Sequence, residues 1–246
     1  MSPTPRSPIR RILRLLALLL LAWVALSCLA VIVLRFVPPW TSAMMMERRV
    51  EALVHGEEDF RFRHRWVPWD RISPQVGIAM VAGEDQKFPY HHGFDVDAIQ
   101  DAIDAADEGK RLRGASTISQ QVAKNLFLWN GRSFVRKGLE AWFTVLIETF
   151  WPKQRILEVY MNVVELGDGV YGVGAASDAF FHTTPDRLGI AQAARLAAVL
   201  PNPRRFHADA PSAYVQRRAE WIARQAAQLG GPAYLTRPAP VSGRVR

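Results

Sequence analysis

Residues 15–34, LLALLLLAWVALSCLAVIVL, run for twenty positions without a charge, and no other stretch narrows the possible folds as much. At about 1.5 Å per residue such a helix crosses the roughly 30 Å hydrocarbon layer of a bilayer. A transmembrane helix is therefore expected over residues 15–37, ended by Pro38 and Pro39. Arg6, Arg10, Arg11 and Arg14 precede the run and only Arg35 follows it. That asymmetry predicts a cytoplasmic N-terminus and places everything after about residue 40 outside the inner membrane. A cleaved signal peptide is the rival reading, but its apolar core is usually shorter and followed by a small-x-small site. The string Ala25-Leu26-Ser27-Cys28 loosely resembles a lipoprotein box, yet the residues after Cys28 stay apolar through Leu34.

The anchor also explains part of the charge. The chain carries 31 basic and 23 acidic residues, a net charge of +8, but residues 1–40 hold five Arg and no acid, which leaves +3 for the rest. With neither an aromatic and basic RNA signature nor a zinc-finger spacing, nucleic acid is not expected as a partner. The single cysteine, Cys28, excludes an internal disulfide and a cysteine-based metal site.

Residues 38–73 read as a membrane-proximal linker and small-lobe segment. They include a helical pattern at 44–54 and the strip FRFRHRWVPW at 60–69, which suits an edge strand or a seat among lipid headgroups. An apolar run at 76–82 leads into Glu84, Asp85, His91, His92 and Gly93. A carboxylate at the end of a buried segment can have its pKa raised by desolvation, as a general base requires. Adjacent histidines point apart and lack a third ligand at a suitable spacing, so His91 and His92 are read as structural.

Helices are expected over 95–108, 133–150 (capped by Ser133), 153–162 (opened by Pro152), 175–181, 190–200 and 214–229. The glycine-dense loop 166–174 has no preceding strand and no GKS or GKT, which argues against nucleotide binding. Few strands, no repeats and a Pro-rich basic tail at 232–246 complete the outline.

The chemistry concentrates at residues 114–125, GASTISQQVAKN. Built as a helix, this stretch puts Ala115, Ile118, Val122 and Leu126 on one side and Thr117, Gln120, Gln121 and Lys124 on an opposite arc of roughly 100°. Residues 110–137 hold seven bases and no acid: Lys110, Arg111, Arg113, Lys124, Arg132, Arg136 and Lys137. Such a cluster suits an anionic group, although a solvated face is the plainer reading of the same residues. Arg136 and Glu140 share a face at i and i+4, the spacing of an ion pair.

Four patterns in this order, EDxxFxxHxG at 84–93, GASTISQQ with KN at 114–125, RKxxE at 136–140 and RILEVYMN at 155–162, resemble the peptidoglycan glycosyltransferases of glycosyltransferase family 51, monofunctional biosynthetic type. The likeness covers roughly residues 74–231, the expected glycosyltransferase domain, with residues 1–14 a short basic cytoplasmic segment. It implies a mainly α, lysozyme-like fold with a large lobe and a small membrane-proximal lobe. It implies lipid II and the growing glycan chain as partners at the inner membrane, with cell-wall synthesis or division proteins as further candidates. The monofunctional likeness implies that no penicillin-binding transpeptidase domain is expected after the last helix. Carried over by position, Glu84 would be the base that deprotonates the acceptor sugar's 4-hydroxyl for an inverting attack on C1 of the donor. Glu140 would be the second essential carboxylate. Lys124, Arg132, Arg136 and Lys137 would surround the donor pyrophosphate, while Ser116, Thr117, Gln120, Gln121 and Asn125 would contact substrate. The resemblance implies no certain cofactor; a divalent cation (Mg2+ or Mn2+) at the pyrophosphate stays open, without a dedicated ligand set. Gln192 stands where relatives commonly carry Glu, which puts one structural hydrogen bond in question. A membrane-anchored muramidase would need a catalytic acid and no pyrophosphate cluster. A non-catalytic cell-wall scaffold would have lost residues such as Glu84, Lys124, Arg136 or Glu140, and all four are present.

Overall fold

The computed structural model describes residues 8–98, 100, 104, 116–131 and 133–236. It is mainly helical, as expected. The apolar run lies in helix α1 (Pro8–Phe36), which is largely exposed along its length and is the one described helix long and apolar enough to cross a membrane. Helix α2 (Ala43–His55) starts where the Ser42 hydroxyl accepts the Met45 amide at 3.2 Å. It ends at Gly56, whose φ of 65° lets the backbone turn into the left-handed region.

The strip at 60–69 takes the first of its two sequence readings, the edge strand. Strand β1 (Arg63–His64) pairs in parallel with β3 (Val170–Tyr171), which pairs antiparallel with β2 (Glu165–Gly167), in the order β1-β3-β2. The Asn162 side chain clamps the strip by accepting from the Val67 amide at 2.8 Å and donating to the Val67 carbonyl at 2.9 Å. This sheet also explains the glycine-dense loop. A Cβ at Gly174 would collide with the Arg65 carbonyl, and one at Gly172 with the Asn162 carbonyl. The glycines permit this close backbone approach.

Helix α3 (Pro74–Glu84) is buried from Val76 to Ala82. Ser73 caps it and Pro74 occupies its first turn, where no amide partner is lost. It is the central element, packed against α8 (Ile190–Val199) and α9 (Ala213–Gln228). On the other side of the core, α4 (Ile118–Phe127) packs on α5 (Phe134–Phe150), α6 (Lys153–Val163) and α2. Helix α7 (Gly172–Phe181) lies against α6 and the sheet. Ser133 and Pro152 stand at the expected N-terminal positions of α5 and α6. The helix expected over 95–108 falls mostly outside the described residues; positions 96–98, 100 and 104 are helical.

The central stretch departs from its expected geometry. Its helix begins at Ile118, and Thr117 is the N-cap: the Thr117 hydroxyl accepts the Gln120 amide while the Gln120 side chain accepts the Thr117 amide at 3.0 Å. Thr117 and Gln120 are both buried, at 3% and 4% exposure. The correction has a local cause, because Thr-x-x-Gln is a capping box that satisfies two amides a helix start would otherwise leave orphaned.

Candidate active site

Glu84 is the last residue of α3 and faces a cleft of about 780 Å³. Ser116, Gln121 of α4, and Tyr214, Arg217, Arg218 and Trp221 of α9 form its other walls. Glu84 Oε2 accepts from Gln121 Nε2 at 3.1 Å, and Oε1 lies 3.2 Å from Arg218 Nη2. Gln121 is itself oriented by Tyr160 of α6, whose hydroxyl donates to the Gln121 amide oxygen at 3.1 Å. Burial raises the Glu84 pKa above the ordinary carboxylate value, and the Gln121 hydrogen bond and Arg218 charge oppose that rise. Desolvation prevails, which favours a carboxylate that gains by taking up a proton.

The neighbouring Asp85 does different work. It is buried, and its Oδ2 accepts the Ile118 amide at 2.9 Å and pairs with His91 Nε2 at 2.9 Å. The Gly93 amide donates to His91 Nδ1 at 3.1 Å, so the ring proton sits on Nε2, facing Asp85. The Thr117 hydroxyl then donates to the Gly93 carbonyl at 2.6 Å. These bonds fasten the 84–93 segment to the N-terminus of α4, where a carboxylate also complements the helix dipole. His91 is structural, as its sequence neighbourhood suggested.

A second cavity of about 310 Å³ adjoins the first, sharing Gln121 and Pro201, and is bordered by Lys124 and Asn125. The Lys124 ammonium makes no hydrogen bond or ion pair with any described residue. Burial lowers its pKa; Glu140 pulls it back up, while Arg136 and Lys137 push it down. An incoming anion would relieve both the desolvation and the repulsion. On α5, Glu140 is 4% exposed and held by Arg136 Nη1 at 2.9 Å and Lys137 Nζ at 2.5 Å. Arg136 Nε also donates to the Gly131 carbonyl at 2.8 Å. The ion pair expected at i and i+4 is thus present, extended by a second cation. Both Glu140 oxygens are occupied in orienting positive charge.

Of the residues singled out in the sequence, Glu84, Ser116 and Gln121 meet in the larger cavity, and Lys124 and Asn125 border the smaller one. Arg136 and Lys137 converge on Glu140. Thr117 and Gln120 brace the start of α4, and Arg132 lies outside the described residues. Among the described residues no three His, Cys, Asp or Glu side chains gather as a metal-ligand set. Gln192 Oε1 accepts the Gly189 amide at 3.1 Å, so an amide serves this position as a helix-capping acceptor. Sequence reasoning missed Arg218. It sits in an Arg-rich amphipathic helix, where nothing local separates a cleft arginine from a solvated one.

The transglycosylase family profile matches residues 51–227. A biosynthetic peptidoglycan transglycosylase of Chromohalobacter salexigens is 56% identical over 232 residues, covering 94% of this chain and 99% of its own. Proteins of the same description are 57% identical in Xanthomonas campestris pv. campestris, over 93% of both chains, and 58% identical in Pseudomonas savastanoi pv. phaseolicola, over 91% of this chain and 94% of its own. With a family profile matching residues 51–227 and relatives 56–58% identical over more than nine-tenths of this chain, the chain belongs to the transglycosylase family.

Proposed function

We propose that this protein polymerises lipid II into glycan strands with release of undecaprenyl diphosphate, and that Glu84 is its general base. The observation that carries the reading is the pairing of a partly buried, proton-seeking carboxylate with an adjoining cavity bordered by an ammonium that is unpaired among the described residues and backed by a two-cation cluster. Proton transfer needs the first, and departure of a pyrophosphate needs the second. The names of the relatives support the same chemistry.

In this mechanism the acceptor's 4-hydroxyl gives its proton to Glu84 as its oxygen bonds to C1 of the donor sugar. The bond from C1 to the phosphate oxygen breaks on the opposite face, inverting the centre, and its electron pair leaves on the diphosphate. Lys124, Arg136 and Lys137 meet the charge developing there, with Arg132 as a further candidate, and Glu140 keeps Arg136 and Lys137 aimed. Ser116 and Asn125 are assigned contacts to the sugars. Gln121 orients Glu84 and reaches both cavities. Helix α1 anchors the domain in the inner membrane with the cleft on the periplasmic side, where a lipid-linked substrate can reach it by lateral diffusion.

The test is incubation of the detergent-solubilised protein with labelled lipid II and separation of products by size, with Glu84→Gln in parallel. Long glycan from the wild type and none from the folded variant is the expected result. Equal polymer from both would remove Glu84 as base. Binding of lipid II without polymer would indicate a scaffold, and shortening of preformed glycan a lytic enzyme.

A further inference from the structure

Three charged side chains of helix α2 each hold a different wall of the smaller cavity. Glu47 Oε2 accepts the Asn130 amide at 2.7 Å. Glu51 Oε2 accepts from Arg204 Nη1 at 2.9 Å, in the turn that follows α8. Arg48, on the buried side of the helix, donates to Asp168 in the turn between β2 and β3, through Nε at 3.0 Å and Nη2 at 2.8 Å. Asn130 and Arg204 border the cavity, and so do Glu165 and Tyr171 on the strands that flank the Asp168 turn. Met44 borders it too, and stands with Glu47 and Glu51 at i, i+3 and i+7 on one face of α2.

These walls differ from the Lys124 end in charge. Arg204 stands between two carboxylates, with Nε 3.5 Å from Glu165 Oε2 while Nη1 is on Glu51. Its charge is balanced, and its neighbours Asn130 and Asn202 are neutral. A wall of amides and a paired guanidinium suits the hydroxyls and N-acetyl groups of a sugar chain, whereas the Lys124 end suits the diphosphate. With the diphosphate at Lys124 and C1 toward Glu84, the sugars already added lie along the polar wall.

A polymerase that keeps its strand between transfers makes strands whose mean length is the ratio of the transfer rate to the rate at which the strand leaves. Contacts that hold the strand away from the reacting atoms act on the leaving rate. The pair between Glu51 and Arg204 joins α2 to a wall 153 positions away in the chain. Its side chains are 37% and 36% exposed, so it contributes little to stability and can be removed without unfolding the domain.

We propose that Glu51 is a positioning residue for the growing glycan: by holding Arg204 in the wall of the smaller cavity it slows departure of the strand and so sets product length. The proposal rests on polymerisation of lipid II by this protein.

The experiment compares the full chain in detergent as wild type, Glu51→Gln, Arg204→Gln, Arg204→Lys and the double variant carrying Glu51→Gln and Arg204→Gln. Labelled lipid II is in large excess and reactions are stopped at low conversion, so that each strand reports one binding episode. Glu51→Gln is expected to shorten the mean product several-fold while the initial rate of lipid II consumption falls less. Arg204→Lys, which keeps the charge, should retain most of the wild-type length, and the double variant should make strands no shorter than the shorter of the two single variants. Product from Glu51→Gln as long as that of the wild type would overturn the proposal. So would shortening by the two single changes that multiplies in the double variant, because Glu51 would then not act through Arg204. An equal fall in rate and length with a lowered unfolding temperature would reduce the pair to a structural tie. No polymer from the wild type would overturn the polymerase reading, and the proposal with it.

Discussion

Glu84 and Glu140 are two carboxylates of the proposed active site with opposite surroundings. Glu84 ends a buried helix, opens on the large cavity and, among the described residues, has a single cation at 3.2 Å, with its second oxygen held by an amide. Glu140 sits in mid-helix, almost without solvent, with one cation on each oxygen. The first arrangement leaves a carboxylate able to accept a proton. The second commits the carboxylate to holding positive charge in place. Identical side chains thus do different chemistry because desolvation dominates at one site and ion pairing at the other.

The sharpest way to break this comparison is to neutralise each in turn. Glu84→Gln should reduce polymerisation of labelled lipid II by about 10²–10⁴-fold, the span of general-base catalysis, while the variant unfolds near the wild-type temperature. Residual activity within tenfold of wild type would reverse the assignment of Glu84. Glu140→Gln should reduce turnover less, and it should also cost stability, on the order of 2 kcal/mol in denaturant titration, because Arg136 loses its partner in a partly buried setting. Equal stability of the two variants would mean that Glu140 does not organise the cations.

Lys124 tests the cavity from the cationic side. Burial favours its neutral form, so the folded state gains from removing the charge. Lys124→Met is expected to abolish detectable polymerisation yet stabilise the fold by about 1 kcal/mol in thermal melts at neutral pH. A destabilised variant would contradict the desolvation argument.

The smallest effect concerns Arg218. A nearby cation lowers a carboxylate's pKa, so Arg218→Gln should raise that of Glu84 further. The base must be ionised, and activity on the acid side of the profile would then be lost at a higher pH than in the wild type. The shift should be about one unit or less, with turnover on the alkaline side reduced least. An unmoved acid limb would show that Arg218 does not influence the base.

Much of the architecture was legible because its causes are local. Ser133 with its amphipathic run, Pro152 at a helix start and the 20-residue apolar segment each act over one or two turns. The central stretch shows where that logic strains. A helical wheel begun at 114 puts Thr117 and Gln120 on the binding face, whereas the capping box turns both inward. The capping signal was also local, but it competed with a helical reading that extended too far upstream. The strip at 60–69 was ambiguous for a different reason, since its strand partner lies beyond residue 165.

By itself, the sequence determined the long apolar N-terminal helix, most of the other helices, the position of a carboxylate at the end of a buried segment, and the acid-free cluster of bases from 110 to 137. Composition and short-range periodicity suffice for these, because each depends on residues within a few turns. Only the tertiary structure decided which polar groups meet: Arg218 with Glu84 across 134 positions, Tyr160 with Gln121 across 39, and Trp142 with Ser27 across 115. Contacts between residues so far apart in the chain depend on how the helices pack, and no periodicity in the sequence encodes that packing.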